Sequence, residues 1–174
     1  MLRSQIAPMP EYFDRYILMA DDTDHLSALT AGLRELEQLP AETFRALGRK
    51  VYALGKWTIA QILQHLIDTE RVFTYRALAF ARCESGTVLP FDEDAYAAHS
   101  FADERTIEDL TEELIVLRRS TIALFRSFND ESLQRTGAGF RGPYSVLSIA
   151  FILAGHPRWH LRTIREKYLP LLGS

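Results

Sequence analysis

The amino-acid sequence predicts an all-α protein built as a four-helix bundle. Four segments carry apolar residues at helical spacing, and each is bounded by capping residues, glycine or proline. No alternating pattern of useful length indicates a β-strand. The 174 residues are enough for one well-buried core. We therefore expect residues 1–174 to form a single domain of helices packed against one another.

The first predicted helix covers residues 23–39. It carries leucines at helical spacing and ends at Pro40, and residues 11–19 form a shorter helix or turn before it. The residues able to cap its start are Asp21, Asp22 and Thr23.

The second predicted helix has the clearest boundaries. Thr58 and Gln61 have the spacing of a capping box, in which each side chain accepts a hydrogen bond from the backbone N–H of the other residue. The apolar pattern continues to about Arg82, and Gly86 and Pro90 prevent a longer helix.

The third and fourth predicted helices cover residues 106–128 and 145–168. The third starts with a threonine followed three residues later by Asp109, and the fourth ends before Pro170. The connection over residues 86–105 is long, and connections of this length are usually functional or bridging. It therefore indicates a crossover between helices 2 and 3 rather than a simple up-down topology.

Composition and charge exclude several classes of protein. The chain has 20 basic and 23 acidic residues without a block of like charge, unlike a nucleic-acid binder. No apolar run is long enough for a membrane span, and the proline-broken N-terminal residues do not resemble a signal peptide. The single cysteine, Cys83, excludes an internal disulfide and is interpreted as a small buried hydrophobic residue. We expect a cytoplasmic protein that binds neither nucleic acid nor membrane.

Three histidines form a candidate metal site. His156 and His160 are four residues apart on one predicted helix, so both imidazoles project from the same face. His65 lies among apolar residues of another helix, where a buried imidazole needs partners for its nitrogens. Three nitrogen ligands with open coordination positions are typical of a reactive metal site. The alternative is that these histidines, like His25 and His99, are ordinary structural residues.

Asp68, one helical turn after His65, has two interpretations. It either orients an imidazole or serves as a fourth, weaker ligand, or it pairs with an arginine such as Arg71 or Arg76. The sequence does not decide between them. The Glu-x-x-His motifs of di-iron bundles and the HExxH motif of zinc proteases are both absent.

Further polar and aromatic residues are candidates for a substrate pocket. The basic run on the last helix is interpreted as a solvated face, and the alternative is a grip on an anionic substrate group near the metal. Its members are Arg158, Arg162 and Arg165. The large aromatic residues that are candidates to line a pocket are Trp57, Tyr96 and Trp159.

Several segments resemble the DinB-like superfamily of metal-binding helical proteins. Residues 55–78 contain Gly-Lys-Trp-Thr-Ile followed by His-Leu-Ile-Asp-Thr-Glu-Arg, a long and specific pattern. The resemblance continues through residues 89–96, 155–160 and 166–169. It implies an up-down-down-up four-helix bundle, frequently a homodimer.

The resemblance also implies that His65, His156 and His160 bind a divalent metal ion, usually zinc or nickel. Many relatives resemble transferases or isomerases that use a low-molecular-weight thiol such as mycothiol or bacillithiol. In these the metal holds the thiol as a thiolate, which is the nucleophile.

The chain departs from the family pattern at one point of the site. The usual Gly-His-Glu-x-His-His becomes Gly-His156-Pro157-Arg158-Trp159-His160, so a glutamate and one histidine are missing. Pro157 has no N–H for the carbonyl of Leu153, which predicts a kink in the fourth helix.

Glu70 belongs to the family pattern but not to the predicted metal site. Five residues after His65, it faces about 140° away around the helix, which makes it a poor metal ligand. A buried ion pair or a bond to residues 91–94 is expected instead.

Two functional hypotheses follow. The first is a metal-dependent enzyme of the thiol S-transferase or hydrolase type that acts on a small-molecule substrate, with catalytic residues that the sequence does not identify. The alternative is a non-enzymatic metal-binding stress-response or scaffold protein. A pocket that reaches the metal supports the enzyme, whereas apolar side chains that seal the metal support the scaffold.

Overall fold

The computed structural model describes residues 1–83, 88–139 and 141–173. In chain order its α-helices are α1 (Asp14–Ile17), α2 (His25–Leu36), α3 (Ala41–Leu47), α4 (Ile59–Ala81), α5 (Glu93–His99), α6 (Ile107–Arg126), α7 (Asp130–Gln134) and α8 (Val146–Thr163). A short antiparallel hairpin of β1 (Thr136–Gly139) and β2 (Gly142–Ser145) precedes α8.

Helices α4 and α6 lie parallel in the bundle. Near their starts, the side chain of Gln64 accepts a hydrogen bond from Arg105 at 2.9 Å, and further along both helices the hydroxyls of Thr74 and Thr121 lie 3.2 Å apart. The chain must therefore return along the bundle between α4 and α6, and α5 lies in this connection. The predicted crossover is confirmed, although Gly86 lies outside the described residues.

The other two bundle helices, α2 and α8, run in the opposite direction. His65 near the start of α4 lies against His160 near the end of α8, with ring centroids 5.0 Å apart. The ring of His25 at the start of α2 lies 6.5 Å from the ring of Phe125 at the end of α6. The four helices α2, α4, α6 and α8 thus have the predicted up-down-down-up order.

Side-chain caps define where the central helices begin. The N–H of Gln61 donates to the hydroxyl of Thr58 at 3.1 Å, and the N–H of Thr58 donates to the side-chain oxygen of Gln61 at 2.9 Å. Thr106 accepts from the N–H of Asp109 at 3.1 Å at the start of α6. The predicted capping box and the predicted start of the third helix are therefore confirmed.

The predicted limits of the first helix are wrong. The cap of α2 is Asp24, whose carboxylate accepts hydrogen bonds at 3.1 Å from the N–H groups of Leu26 and Ser27. The helix therefore begins after Asp24 rather than at Thr23, and it ends at Leu36. The shorter element expected over residues 11–19 is α1.

The predicted absence of strands is also wrong. Each strand of the hairpin has four residues, too few to display an alternating pattern, and two glycines lie in β1. A Cβ on Gly137 would lie 1.9 Å from a ring carbon of Phe80, so glycine is needed where β1 crosses α4.

After α8 the chain continues as a π-helical turn, Ile164–Tyr168, and a 3₁₀ turn that contains Pro170.

Cys83 is exposed, which corrects its interpretation as a buried hydrophobic residue. It lies just beyond the end of α4, and its own φ is +58°.

Among the described residues, none of the helices combines the length and the apolar character needed to cross a bilayer.

A buried ion pair joins α4 to α6 in the middle of the bundle. Nε and Nη2 of Arg118 each donate to one carboxylate oxygen of Glu70, both at 2.8 Å. The side chain of Arg118 is fully buried, and a Cβ on Gly32 of α2 would lie only 2.6 Å from its Nη1. Of the two interactions expected for Glu70, the buried ion pair is the one observed.

The same arginine compensates for the proline in α8. The helix continues through Pro157, which cannot donate a hydrogen bond to the carbonyl of Leu153. Nη2 of Arg118 donates to this carbonyl at 2.7 Å instead. Arg118 thus satisfies the backbone group that Pro157 leaves open, while the kink at Pro157 stays a prediction.

We expect Arg118→Met to lower the free energy of unfolding by about 3–5 kcal/mol, because it leaves Glu70 and the Leu153 carbonyl buried without partners. The matched control is Arg119→Met on the same helix, which removes an exposed ion pair with Glu37 and should cost at most about 1 kcal/mol. Urea unfolding measures both variants. Equal losses in the two variants would contradict the role given to Arg118.

Candidate metal centre

The structure brings the three predicted histidines together at one end of the bundle. Nε2 of His156 lies 3.1 Å from Nε2 of His65 and 2.9 Å from Nε2 of His160. All three ligand nitrogens lie within 4.8 Å of one another. His65 comes from the start of α4 and the other two from the end of α8, so the antiparallel packing of these helices creates the cluster.

Burial keeps the three imidazoles neutral. It lowers the pKa of His65 to about 3, with a further contribution from His160, and it lowers the pKa of His160 to about 4. Burial also lowers the pKa of His156 well below its ordinary value, helped by His160, His65 and the guanidinium of Arg118. A neutral imidazole is the form that binds a metal ion.

The nitrogens of the cluster fit a divalent ion better than they fit one another. Nε2 of His156 contacts both other Nε2 atoms, yet a neutral ring nitrogen has either one N–H or one lone pair. His156 can therefore make only one good hydrogen bond to its two neighbours. With the ring protons on Nδ1, all three Nε2 lone pairs converge, which is the donor set of a three-histidine metal site.

Aromatic rings pack around the histidines. The ring of Trp57 lies 4.7 Å from that of His65 and stacks at 6.4 Å on that of His160. The ring of Tyr16 contacts His156 edge-on at 4.8 Å. A Cβ on Gly155 would lie 1.9 Å from the carbonyl oxygen of Tyr16, so the glycine allows α1 to approach α8 closely.

Neither interpretation of Asp68 is observed. Its carboxylate accepts a hydrogen bond from the side-chain amide of Gln64 at 2.9 Å, and burial raises its pKa. Among the described residues it belongs neither to the histidine cluster nor to a direct ion pair with Arg71 or Arg76. Arg71 pairs with Glu113 instead.

Two pockets reach the histidines. The first, here called the aromatic pocket, has a volume of about 300 Å³, reaches His156 and is walled by Tyr12, Phe13, Tyr16, Phe73 and Phe91. The second, here called the tryptophan pocket, has a volume of about 370 Å³, reaches His160 and contains Lys56, Trp57, Trp159 and Tyr168. Asp94 lines both pockets.

The residues that the sequence predicted to line a pocket lie in different places. Trp57 and Trp159 line the tryptophan pocket as expected, but Tyr96 lies in a separate cleft and is half-exposed. The basic run lies along another groove, where Arg158 pairs with Glu35 at 2.7 Å and with Asp21 at 3.2 Å. Arg162 and Arg165 are exposed, as the interpretation as a solvated face expects, and the alternative, a grip on an anion beside the histidines, is not observed.

Sequence reasoning missed several residues of the site. These are Tyr16, Thr69, Arg76 and Glu93, all of which line the aromatic pocket. The glycine before His156, Gly155, was the one feature of the sequence that indicated a close approach of another segment to the site.

The remaining histidines lie elsewhere: His25 contacts the N-terminal amine at 3.3 Å, and His99 contacts the carbonyl of Ala95 at 2.7 Å.

The fold and the histidine cluster define a helical-bundle protein with a candidate three-histidine metal centre. The family model of the DinB superfamily matches residues 25–164, and the chain belongs to this superfamily. The resemblance stated from the sequence is therefore confirmed.

Two similar proteins carry related descriptions. A protein of Bacillus cereus (strain G9842), provisionally named a metal-dependent hydrolase, is 25% identical over 154 residues, which are 87% of this chain and 80% of that protein. YfiT from Bacillus subtilis is described as a probable metal-dependent hydrolase with an unusual four-helix bundle topology. Its structure matches with a TM-score of 0.68 and 19% identity over 92% of this chain and 87% of that chain. This likeness confirms the four-helix bundle.

We expect the metal-free protein to lose stability as the pH falls from about 6.5 to 4. Histidines whose pKa is lower in the folded state than in the unfolded chain bind fewer protons when folded, so acid favours unfolding by up to about 1.4 kcal/mol per pH unit for each histidine. Urea unfolding of chelator-treated protein at several pH values measures this slope. His160→Ala should have a shallower slope than wild type, and the control His99→Ala should not. Equal slopes in all three proteins would contradict the predicted pKa shifts.

Proposed function

We propose that this protein is a metal-dependent hydrolase whose divalent ion is held by His65, His156 and His160. The convergence of three neutral Nε2 atoms at 2.9 and 3.1 Å carries the proposal. The descriptions of the two similar proteins as metal-dependent hydrolases support it. Three imidazoles suit zinc or nickel, and zinc is the usual ion at a three-histidine catalytic site.

The residues around the cluster have separate roles in this proposal. A bound divalent ion would lower the pKa of water enough to supply a nucleophile near neutral pH. Trp57 and Tyr16 hold the imidazole rings in place and exclude bulk water from their faces. A carboxylate oxygen of Asp94, which lines both pockets, accepts the proton released by the nucleophile. This role replaces that of the glutamate missing at Pro157.

A second candidate is transfer of a low-molecular-weight thiol to a small-molecule acceptor. The specific observation that favours it is the pair of pockets, since one reaches His156 and the other His160. Two pockets beside one centre suit two substrates, whereas hydrolysis needs one substrate and water. Here the ion would stabilise the thiolate form of the thiol.

The pockets also weigh against the non-enzymatic alternative. Apolar side chains that seal the histidines would favour a scaffold, but two pockets with polar residues reach them.

A homodimer, which the family resemblance implies, stays a prediction that light scattering after size-exclusion chromatography can test.

We expect protein purified without a histidine tag or chelator to contain close to one divalent ion per chain. His160→Ala removes one of three ligands and should lose most of this metal while keeping its helical circular dichroism, because His160 is the least buried of the three. Elemental analysis measures the metal content. His99→Ala is the control, since this exposed histidine lies outside the cluster and should keep full metal. An unchanged metal content in His160→Ala would contradict the assignment of the ligands.

We expect the metal-loaded protein to hydrolyse members of a panel of p-nitrophenyl esters, and Asp94→Asn to lower kcat by about 10²-fold or more with metal content unchanged. Glu112→Gln, which changes an exposed carboxylate on α6, is the matched control.

The second candidate, thiol transfer, is tested by titrating cobalt-substituted protein with cysteine or glutathione, because a thiolate ligand adds a near-ultraviolet charge-transfer band. Thiol binding without ester hydrolysis would favour transfer over hydrolysis.

A further inference from the structure

We propose that the aromatic pocket is the substrate site and that it selects a small organic ammonium ion carrying a hydrogen-bonding group. The pocket has a volume of about 300 Å³, reaches His156 and is walled by five aromatic side chains. Volumes of this size accommodate a small molecule. The proposal rests on the proposed function for the reaction that follows binding, but what the pocket binds can be tested without it.

Two carboxylates line the pocket without a direct ion pair to a described cation. Among the described residues, Glu93 and Asp94 form neither a hydrogen bond nor an ion pair. Burial raises the pKa of Glu93, and the neighbouring Asp94 and Asp92 raise it further. The carboxylate of Asp92 already caps α5 by accepting the N–H of Ala95 at 3.0 Å. A ligand cation beside them would relieve the repulsion between the carboxylates.

Arg76, the one arginine among the described lining residues, is already engaged. Arg76 donates to the hydroxyl of Tyr144 at 3.2 Å and to the carbonyl of Leu89 at 2.7 Å. Its guanidinium also lies 4.8 Å from the ring centre of Phe73. Arg76 is therefore held at the wall of the pocket and does not pair with these carboxylates.

Aromatic walls favour a cation over a neutral group. The ring of Tyr12 is already engaged by the chain's own cations, the guanidinium of Arg15 at 4.2 Å and that of Arg141 at 5.4 Å, so a ligand cation would use other rings. Tyr16 and Phe91 also wall the pocket. Burial raises the pKa of Tyr16, and Tyr12 and Glu93 raise it further, so Tyr16 lies near the carboxylate of Glu93. Cations are attracted to the faces of such rings, most strongly where water is excluded.

Thr69, which lines the pocket, has a buried hydroxyl without a partner in the part of the chain that the structure describes. Thr69 on α4 is only 4% exposed, and its Oγ1 makes no hydrogen bond there. A buried polar group without a hydrogen bond is unfavourable, so a ligand group that bonds to it gains affinity. Thr69 lies one helical turn after His65, so this interaction would anchor the inner end of a ligand beside the histidines.

Choline is a suitable first probe, because its quaternary ammonium group cannot coordinate a metal ion and it carries a hydroxyl. Its neutral isostere, 3,3-dimethylbutan-1-ol, has the same shape and the same hydroxyl. We expect choline to bind about tenfold or more tightly than the isostere. Thr69 and Ile152 both line the pocket, so titration of isotope-labelled protein followed by their amide resonances measures both Kd values and locates the site.

Two variants test the residues that carry the proposal. Glu93→Gln should weaken choline binding by about fivefold or more and leave binding of the isostere unchanged, whereas the control Glu112→Gln should change neither. Thr69→Val should weaken both ligands while leaving the protein as stable as wild type or more stable, because it removes an unsatisfied buried hydroxyl. This combination separates ligand binding from a structural role.

Equal affinities for choline and its isostere would overturn the proposal, as would equal effects of Glu93→Gln and Glu112→Gln. Failure of the proposed function is distinguishable, since His160→Ala should bind choline as wild type does even when its metal is lost. Choline binding in a protein that holds no metal would support the ammonium site and contradict the hydrolase.

Discussion

The arrangement of the bundle depends on the buried guanidinium of Arg118. A buried charge is costly unless it is paired, and here the pairing goes through Nε and Nη2, while Nη1 makes no hydrogen bond within the described residues. The position of this guanidinium therefore constrains the helices around it. It binds Glu70 of α4 in a bidentate pair and the carbonyl of Leu153 of α8, while Gly32 of α2 leaves room for it. One side chain thereby fixes the relative position of α4 and α8, the two helices that carry the clustered histidines.

Burial of the histidines has two consequences. It lowers their pKa values, so the protein keeps imidazoles in the ligand form at neutral pH at the cost of stability in acid. Burial also means that the ring nitrogens need partners within the protein. The packing of α4 against α8 places these nitrogens opposite one another and not opposite other hydrogen-bonding groups of the described residues. A bound metal ion would satisfy all three at once, as our proposal requires.

Pro157 stands where the family resemblance implies a glutamate, so our proposals assign the acidic chemistry to another element. Pro157 supplies no carboxylate, and its missing N–H is replaced by Arg118. Two carboxylates at the start of α5, in the crossover between α4 and α6, line the pockets: Asp94 lines both, and Glu93 lines the aromatic pocket. In our proposals the crossover therefore has a functional role, with Asp94 in proton transfer and Glu93 in recognition of a cation.

The sequence by itself determined the features that depend on local interactions. Helical periodicity and the Thr58 capping box act within a few residues, and the four-residue spacing of His156 and His160 fixes their shared face. The short hairpin and the exposure of Cys83 were missed because a few residues carry no periodic signal. Only the tertiary structure decided which distant groups meet: the guanidinium on the Leu153 carbonyl, the ring of Tyr16 on His156, and the crossover carboxylates at the pockets. These contacts join residues that are far apart in the chain. Their distances are set by how whole helices pack, and the spacing of residues in the sequence does not reveal that packing.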